Sequence, residues 1–336
     1  MRALITGAAG QDGVLLSRLL AREGMRVVGV VRDQAARSRL NRLVPEAEAV
    51  VADITDRAAM DSLVESLSPD EVYNLAAFSS VGRSWAEVDA VLHTNVVAVA
   101  GLLDAVLAEH RRGGSIRFYQ ASSSEVYGLA PEQPQTELTA HHPRSPYAVS
   151  KSAAQSLTTN YRESYDLYAC SGVLYNHESP LRPRSFVTRK ITAGVAEIVR
   201  GRADRLVLGN MAVSRDWGWA PDYVLAMRGM LTLASPQDYV IATGVAHSLR
   251  DFLDEAFNVA GISDWEGHVE SDPSLVRPAE VVGLVGDASA ARRDLAWSPT
   301  VGFHDLVRRM VTHDLGMLDG TTTEMEWLGS WPEGSG

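Results

Sequence analysis

Tyr147 and Lys151 have the strongest claim to chemistry in this sequence. They stand four residues apart in Tyr147-Ala-Val-Ser-Lys151, so a helix would place both on one face. A phenol with a pKa of ~10 is a poor base at neutral pH, and an adjacent ammonium group favours the phenolate. The lysine is conspicuous, because only Lys151 and Lys190 among the 31 basic lysines and arginines are lysines. An ammonium kept against that bias marks a place that a guanidinium does not serve. A chance Tyr-x-x-x-Lys on an amphipathic helix would look the same, so neighbouring segments must decide. Upstream lies Ser122-Ser-Ser-Glu125. The Ser123 hydroxyl is suited to bind a substrate oxygen while Tyr147 takes its proton, and Glu125 offers a second proton-transfer group. The plain alternative is that these serines satisfy backbone groups in a turn and Glu125 is solvated.

The elements that must position these groups can be read from hydrophobic periodicity. A short apolar run, Met1 to Ile5, precedes Thr6-Gly-Ala-Ala-Gly-Gln-Asp-Gly13. Val14–Arg22 follows at helical spacing, Gly24 ends it, and the β-branched run 25–31 reads as a buried parallel strand. Strand, glycine turn, helix, strand is the dinucleotide-binding unit. Its glycines let backbone N–H groups approach a pyrophosphate at a helix N-terminus. Further strands are expected at Ala49–Ala52, Glu71–Leu75, Ile116–Gln120 and Tyr168–Leu174. Helices are expected at Ala58–Leu67, Asn95–Arg111, Ala148–Tyr165 and Phe186–Arg200. This alternation predicts an α/β fold with a doubly wound parallel sheet. Ser123 then lies just beyond the carboxyl end of a strand, where such sheets bind ligands. Past residue 180 the pattern loosens, with short strands at Leu206–Val207 and Tyr239–Ile241 and Pro/Gly clusters between. The expected organisation is a dinucleotide-binding domain over 1–175, with 210–245 returning to it. A smaller, interleaved substrate domain covers 176–320, and 321–336 forms a peripheral tail whose two Trp residues cover an apolar patch.

Composition narrows the function further. A net charge of −11 and a pI near 5.3 argue against nucleic acid or an anionic membrane as partner. Phosphates must therefore meet locally concentrated cations. Cys170 is the only cysteine, so no disulfide can form within the chain, and a core thiol is the expected role. No leader precedes the first strand and no apolar run reads as membrane-length, so a soluble, cytoplasmic protein is expected.

The motifs together resemble the extended short-chain dehydrogenase/reductase family and, within it, the GDP-mannose 4,6-dehydratases. They are Thr6-Gly-Ala-Ala-Gly-Gln-Asp-Gly13, Tyr73-Asn-Leu-Ala-Ala77, Gln120-Ala-Ser-Ser-Ser-Glu-Val-Tyr-Gly128 and Pro143-Arg-Ser-Pro-Tyr-Ala-Val-Ser-Lys151. Asn176-His-Glu-Ser-Pro180, Phe186-Val-Thr-Arg-Lys190, Arg215-Asp-Trp-Gly218 and Arg277-Pro-Ala-Glu-Val281 follow in order. The resemblance implies a Rossmann-type domain and a GDP-sugar substrate dehydrated by internal hydride transfer through NADP. It also implies a homodimer or homotetramer, with the segment after Arg32 near a neighbouring subunit. It assigns catalysis to Ser123, Glu125, Tyr147 and Lys151. Cofactor binding falls to Gly7, Gly10, Gln11, Asp12, Gly13, Arg32, Asp53, Ile54, Leu75, Ala76, Ala77, Lys151, His177 and Arg182. Substrate binding falls to Ser79, Ser124, Asn176, Val187, Lys190, Arg215, Arg277 and Glu280. No metal is implied.

The chain departs from the family's pattern in places. Ser123 replaces a usual Thr and keeps the hydroxyl. Two consecutive arginines usually meet the ribose 2′-phosphate, and here Arg32 is followed by Asp33. That carboxylate opposes a 2′-phosphate, while Arg32, Arg37 or Arg39 can still neutralise it. NADP is expected, with NAD open. Ser80, Trp219 and Leu181-Arg-Pro-Arg184 also differ and are expected to border the sugar pocket, which leaves GDP-mannose or a larger GDP-heptose or GDP-octose as substrate. A same-fold reductase of a 4-keto sugar and an NADP-sensing regulator without catalysis are the rival readings.

Overall fold

The structure, a computed structural model, describes residues 1–275, 279–281 and 283–331. Seven parallel strands form its central sheet: β1 (Arg2–Thr6), β2 (Arg26–Val31), β3 (Glu48–Val51), β4 (Glu71–Asn74), β5 (Arg117–Ala121), β6 (Ala169–Leu174) and β10 (Tyr239–Ile241). Their order is β10-β6-β5-β4-β1-β2-β3, so the strand order reverses beside β1. Ligands bind at such a switch point, beyond the carboxyl ends of the strands. Apart from the edge strand β3, whose residues are partly exposed, the strands are buried on both faces, as their continuous apolar runs require. On one face pack α1 (Gln11–Arg22), α2 (Gln34–Leu43) and α8 (Ala220–Met230); on the other pack α3 (Arg57–Leu67), α5 (Ala98–Arg111) and α6 (Pro146–Tyr165). Cys170 is fully buried in β6, where burial pushes its thiol pKa up, as expected of a core thiol.

Helix α5 is preceded by α4 (Val88–Leu92) and a π-helical turn, His93–Val97, making one 24-residue run that contains an 18-residue stretch with a mean hydropathy of 1.8. By length and composition Val88–Arg111 suffices to cross a membrane, which corrects the expectation that no run is that long. It serves as a core helix instead: it packs on α3 and α6, and Arg57 pairs with its Asp104.

The second half of the chain is more regular than its sequence pattern suggests. Strands β7 (Asn176–Glu178), β9 (Ser214–Trp219), β11 (Ala246–Ser248) and β13 (Gly283–Leu284) form a small mixed sheet. Strand β8 (Leu206–Leu208) pairs with β12 (Val269–Ser271). Helices α7 (Val187–Val199), α9 (Leu249–Val259) and α11 (Phe303–Asp319) pack together around a core containing Trp217, Phe252, Phe257 and Met310. After the short α10 (Ser289–Asp294) and α11, the sequence lacks periodicity, yet α12 (Glu324–Gly329) forms. Thr323 caps α12, Leu328 is fully buried, and Trp327 packs against both large cores. The tail is thus integrated through residue 331, and the apolar cover expected of its tryptophans is present.

Candidate active site

The element that carries Tyr147 and Lys151 is built by capping. Ser145 accepts a hydrogen bond from the Ala148 N–H, and Pro146 occupies the first turn, so α6 begins immediately before Tyr147. Tyr147 and Lys151 therefore share the buried face of α6, as their spacing predicts. Strand β5 ends at Ala121, and Ser124–Val126 forms a 3-10 turn capped by Ser123, whose oxygen accepts from the Glu125 N–H at 3.3 Å. Ser123 and Glu125 both lie close enough to act on the Tyr147 phenol, Ser123 favouring its ionised form and the Glu125 charge opposing it. Sequence-distant Ser123, Glu125, Tyr147 and Lys151 thus converge beyond β5.

The electrostatics differ from the expectation in one respect. Burial pushes Tyr147 up to about 12, with the Ser123 hydrogen bond and Arg182 opposing it. Lys151 Nζ donates to the Ala121 carbonyl at 2.8 Å and sits 6.0 Å from the centre of the Tyr147 ring. Burial also pulls Lys151 down to about 8, against the attraction of Asp12. The lysine is therefore seated beside Tyr147, but loss of solvent dominates the phenol. Ser123, more than the lysine, favours its ionised form in this geometry.

A polar ladder supports this corner. Thr6, Asn74 and Gln120 occupy adjacent register positions on β1, β4 and β5. The Thr6 hydroxyl donates to Asn74 (2.6 Å), the Asn74 amide donates to Gln120 (2.8 Å), and the Gln120 amide donates to the Ala121 carbonyl (2.9 Å). That carbonyl also receives Lys151. In the π turn, buried Asn95 clamps the Phe78 backbone at both its N–H and C=O and donates to Ser150 at 2.9 Å. Sequence reasoning missed these positioning residues. The available signal was a polar residue closing each apolar strand and a lone Asn within an apolar helical run.

At the β1–α1 turn, Gly7 adopts φ +67°, and a Cβ there would lie 2.9 Å from Ala76. A Cβ on Gly13 would lie 2.4 Å from the Gly7 carbonyl, so both positions demand glycine. Gly10 caps α1 without any side-chain hydrogen bond, leaving the helix N-terminus suited to a pyrophosphate. These observations fit a bound dinucleotide. Leu75, Ala76 and Ala77 border this turn after β4, and Ala76 N–H donates to Thr6. Asp53 and Ile54 follow β3, where hydrogen bonds from Thr55 hold the Asp53 carboxyl down. Arg32 projects into solvent at the end of β2.

Partly exposed Asp12 and buried His177 form a bridge from α1 to β7, with Oδ2 to Nε2 at 2.9 Å. Burial pushes the Asp12 carboxyl up, but His177 and then Arg182 outweigh it and hold it low. Burial pulls His177 down, while Asp12 raises it overall. Gln11 donates to the His177 carbonyl, Ser179 donates to Gln11, and Tyr223 stacks on His177 at 4.6 Å. Arg182 pairs with buried Glu178 (3.2 Å) and lies 3.7 Å over Phe186, with its charge felt by both Asp12 and Tyr147. It therefore connects the glycine turn to the Ser123/Tyr147 corner.

The proposed substrate residues spread over the smaller sheet and α7. Asn176 lies on β7 and Val187 opens α7. Lys190 donates to the Val207 carbonyl, while buried Arg215 donates to the Ser214 and Val281 carbonyls. Asn210 donates to Glu280 at 3.2 Å, and Glu280 directly precedes Val281, whose carbonyl Arg215 holds. Ser79 is exposed after β4, and Ser124 is buried in the 3-10 turn. Arg277 lies outside the described residues. Trp219 does not border an open pocket: its ring is buried against Trp327 at 5.8 Å and beneath Arg309. Among the described residues no cluster of side chains suits a metal ion.

A parallel sheet with a glycine turn at its switch point and a Tyr/Lys helix beyond β5 defines the extended short-chain dehydrogenase/reductase class. Solved structures agree. UDP-glucose 4-epimerase from Thermotoga maritima superposes with a TM-score of 0.84 at 22% identity, over 95% of this chain and all of that one. RMD from Pseudomonas aeruginosa, complexed with NADPH, gives 0.77 at 25% identity over 94% and 98% of the two chains. Residues 4–310 match the GDP-mannose 4,6 dehydratase family, to which this chain belongs. GDP-mannose 4,6 dehydratase 1 of Arabidopsis thaliana is 45% identical over 93% of this chain and 89% of its own length. The GDP-mannose 4,6-dehydratase of Yersinia enterocolitica is 40% identical over 94% of both.

Proposed function

We propose that this protein is a hydro-lyase that converts GDP-mannose to its 4-keto-6-deoxy derivative, with a bound NADP that is not consumed. The observation that carries the reading is Glu125 placed beside the Ser123/Tyr147 pair, within a chain of the dehydratase family. A plain reductase has no need of that carboxylate. Gly7, Gly10, Gln11, Asp12, Gly13, His177 and Arg182 would hold the dinucleotide, with Arg32 at its ribose. When bound, it supplies a hydride acceptor that later returns what it took. Tyr147 accepts the 4-hydroxyl proton while Ser123 holds that oxygen. The resulting 4-ketone acidifies the C5 hydrogen, which Glu125 removes. Glu125 or Ser123 then protonates the departing 6-hydroxyl, which leaves as water, and a proton from this same group of side chains returns to C5 to complete the 4-keto-6-deoxy product. The acidic chain needs converging cations for the GDP diphosphate, and Lys190, Arg215 and Arg277 supply them.

We assign the dinucleotide to residues 1–175 with 210–245, and the nucleotide sugar mainly to 176–320. The return of β10 to the sheet edge supports that division. A homodimer or homotetramer is supported by exposed Val88, Leu92 and Val97 on the α4–α5 run and Val149 on α6. A cytoplasmic location suits the single buried thiol. Mass spectrometry of the protein with GDP-mannose and catalytic NADP⁺ tests the reaction. Loss of one water without net NADPH supports the proposal. Stoichiometric NADPH consumption on a 4-keto sugar would make it a reductase, and unchanged GDP-mannose would move attention to larger GDP-sugars.

A further inference from the structure

We infer that Glu324, on the C-terminal helix α12, sets the charge met by the cofactor's adenosine ribose, and that Arg39 is the second cation for a 2′-phosphate there. The inference rests on the dinucleotide reading above. Asp33 stands where the family pattern has a second arginine, yet its carboxylate is occupied as the cap of α2. It accepts from the Ala36 N–H at 2.8 Å, and that bond together with Arg32 holds its pKa low. Arg32 touches Asp33 at 3.3 Å, but its side chain remains 87% exposed and able to turn. Asp53, across the β3–α3 turn, is the other acid within reach of Arg32.

Two further arginines, Arg37 and Arg39, follow on α2 and point to different faces, being two residues apart. Arg37 is exposed. Arg39 is half-buried, and its Nε donates to the Ala9 carbonyl at 3.2 Å, inside the glycine turn itself. A cation anchored between that turn and the end of β2 is placed for a ribose phosphate. Its opposite side is held by Glu324, whose oxygens take Arg39 at 2.9 and 3.2 Å and Arg42 at 2.9 Å. Burial pushes Glu324 up, but Arg42 and Arg39 keep it low and charged. Fully buried Leu328 and the Thr323 cap hold α12 in place, so this carboxylate is a fixed counter-charge.

Glu324 therefore cancels part of the positive field that a 2′-phosphate would meet, while a 2′-hydroxyl is nearly indifferent to it. Isothermal titration of the full chain with NADP⁺ and with NAD⁺ tests this directly, independently of turnover. Glu324→Gln is expected to tighten NADP⁺ by about three- to tenfold and leave NAD⁺ within about twofold. Arg39→Gln should weaken NADP⁺ by about tenfold, and Arg37→Gln should change neither ligand. Should Glu324→Gln fail to fold, Arg42→Gln serves, because it leaves Glu324 wholly to Arg39 and weakens NADP⁺ alone. An unchanged NADP⁺/NAD⁺ ratio in the Glu324 and Arg39 variants, or equal effects of Arg37 and Arg39, would overturn the inference and leave the dehydratase reading intact. Binding of neither nucleotide by the wild type would remove both.

Discussion

At the scale of single residues, the proposed mechanism divides two kinds of proton work between Ser123 and Glu125. Ser123 lies beside Tyr147 and opposes the upward push of burial on its phenol. Ser123→Ala removes that help, so the base becomes harder to ionise and the acid limb of the kcat profile is expected to move to higher pH. An unmoved limb would assign the titration to another group. Glu125→Gln is expected to slow water loss by roughly 10²-fold or more while dinucleotide binding persists. Mass spectrometry of the product and titration with NADP⁺ check the two halves separately. The pairing of Tyr147 with Lys151 was legible from spacing, because a helix face follows from four-residue separation. The elevated phenol was not legible. Desolvation depends on what covers the ring, and that cover comes from segments far away in sequence.

At the scale of elements, the Asp12–His177 bridge ties α1 to β7. His177 is raised above its ordinary 6.5, so its contribution to stability is complete below that value and is lost as pH climbs through the raised one. Asp12 is held below 3.8, so its contribution is present above that value and lost as pH falls through the lowered one. The melting temperature of the wild type, relative to His177→Gln, should therefore decline as pH rises past about 6.5. A constant difference across that range would exclude the bridge as its source. Strands such as β1 and β2 and helices such as α6 were readable because both faces or one stripe are apolar. Helices α8, α9 and α11 lie among Pro/Gly-rich connections, whose turn signals masked their periodicity. The bridge itself joins residues 165 apart, and no local pattern carries it.

At the scale of the whole molecule, the α4–α5 run has two aspects. Its buried side belongs to the sheet core, and its outer side leaves Val88, Leu92 and Val97 exposed. If that side joins two copies, Leu92→Glu should yield a monomer by light scattering with unchanged far-ultraviolet circular dichroism. Retention of the wild-type mass would place the contact elsewhere. The Thr6–Asn74–Gln120 ladder has a consequence of another kind. Side chains alternate across a strand, so sliding β4 by one residue would carry Asn74 to the far face and strand two buried polar partners. The same slip would disturb the Ala121 carbonyl on which Lys151 rests. Alignment of the three central strands and seating of the lysine are thus verified by one set of bonds, so a misthreaded sheet would be inactive as well as unstable.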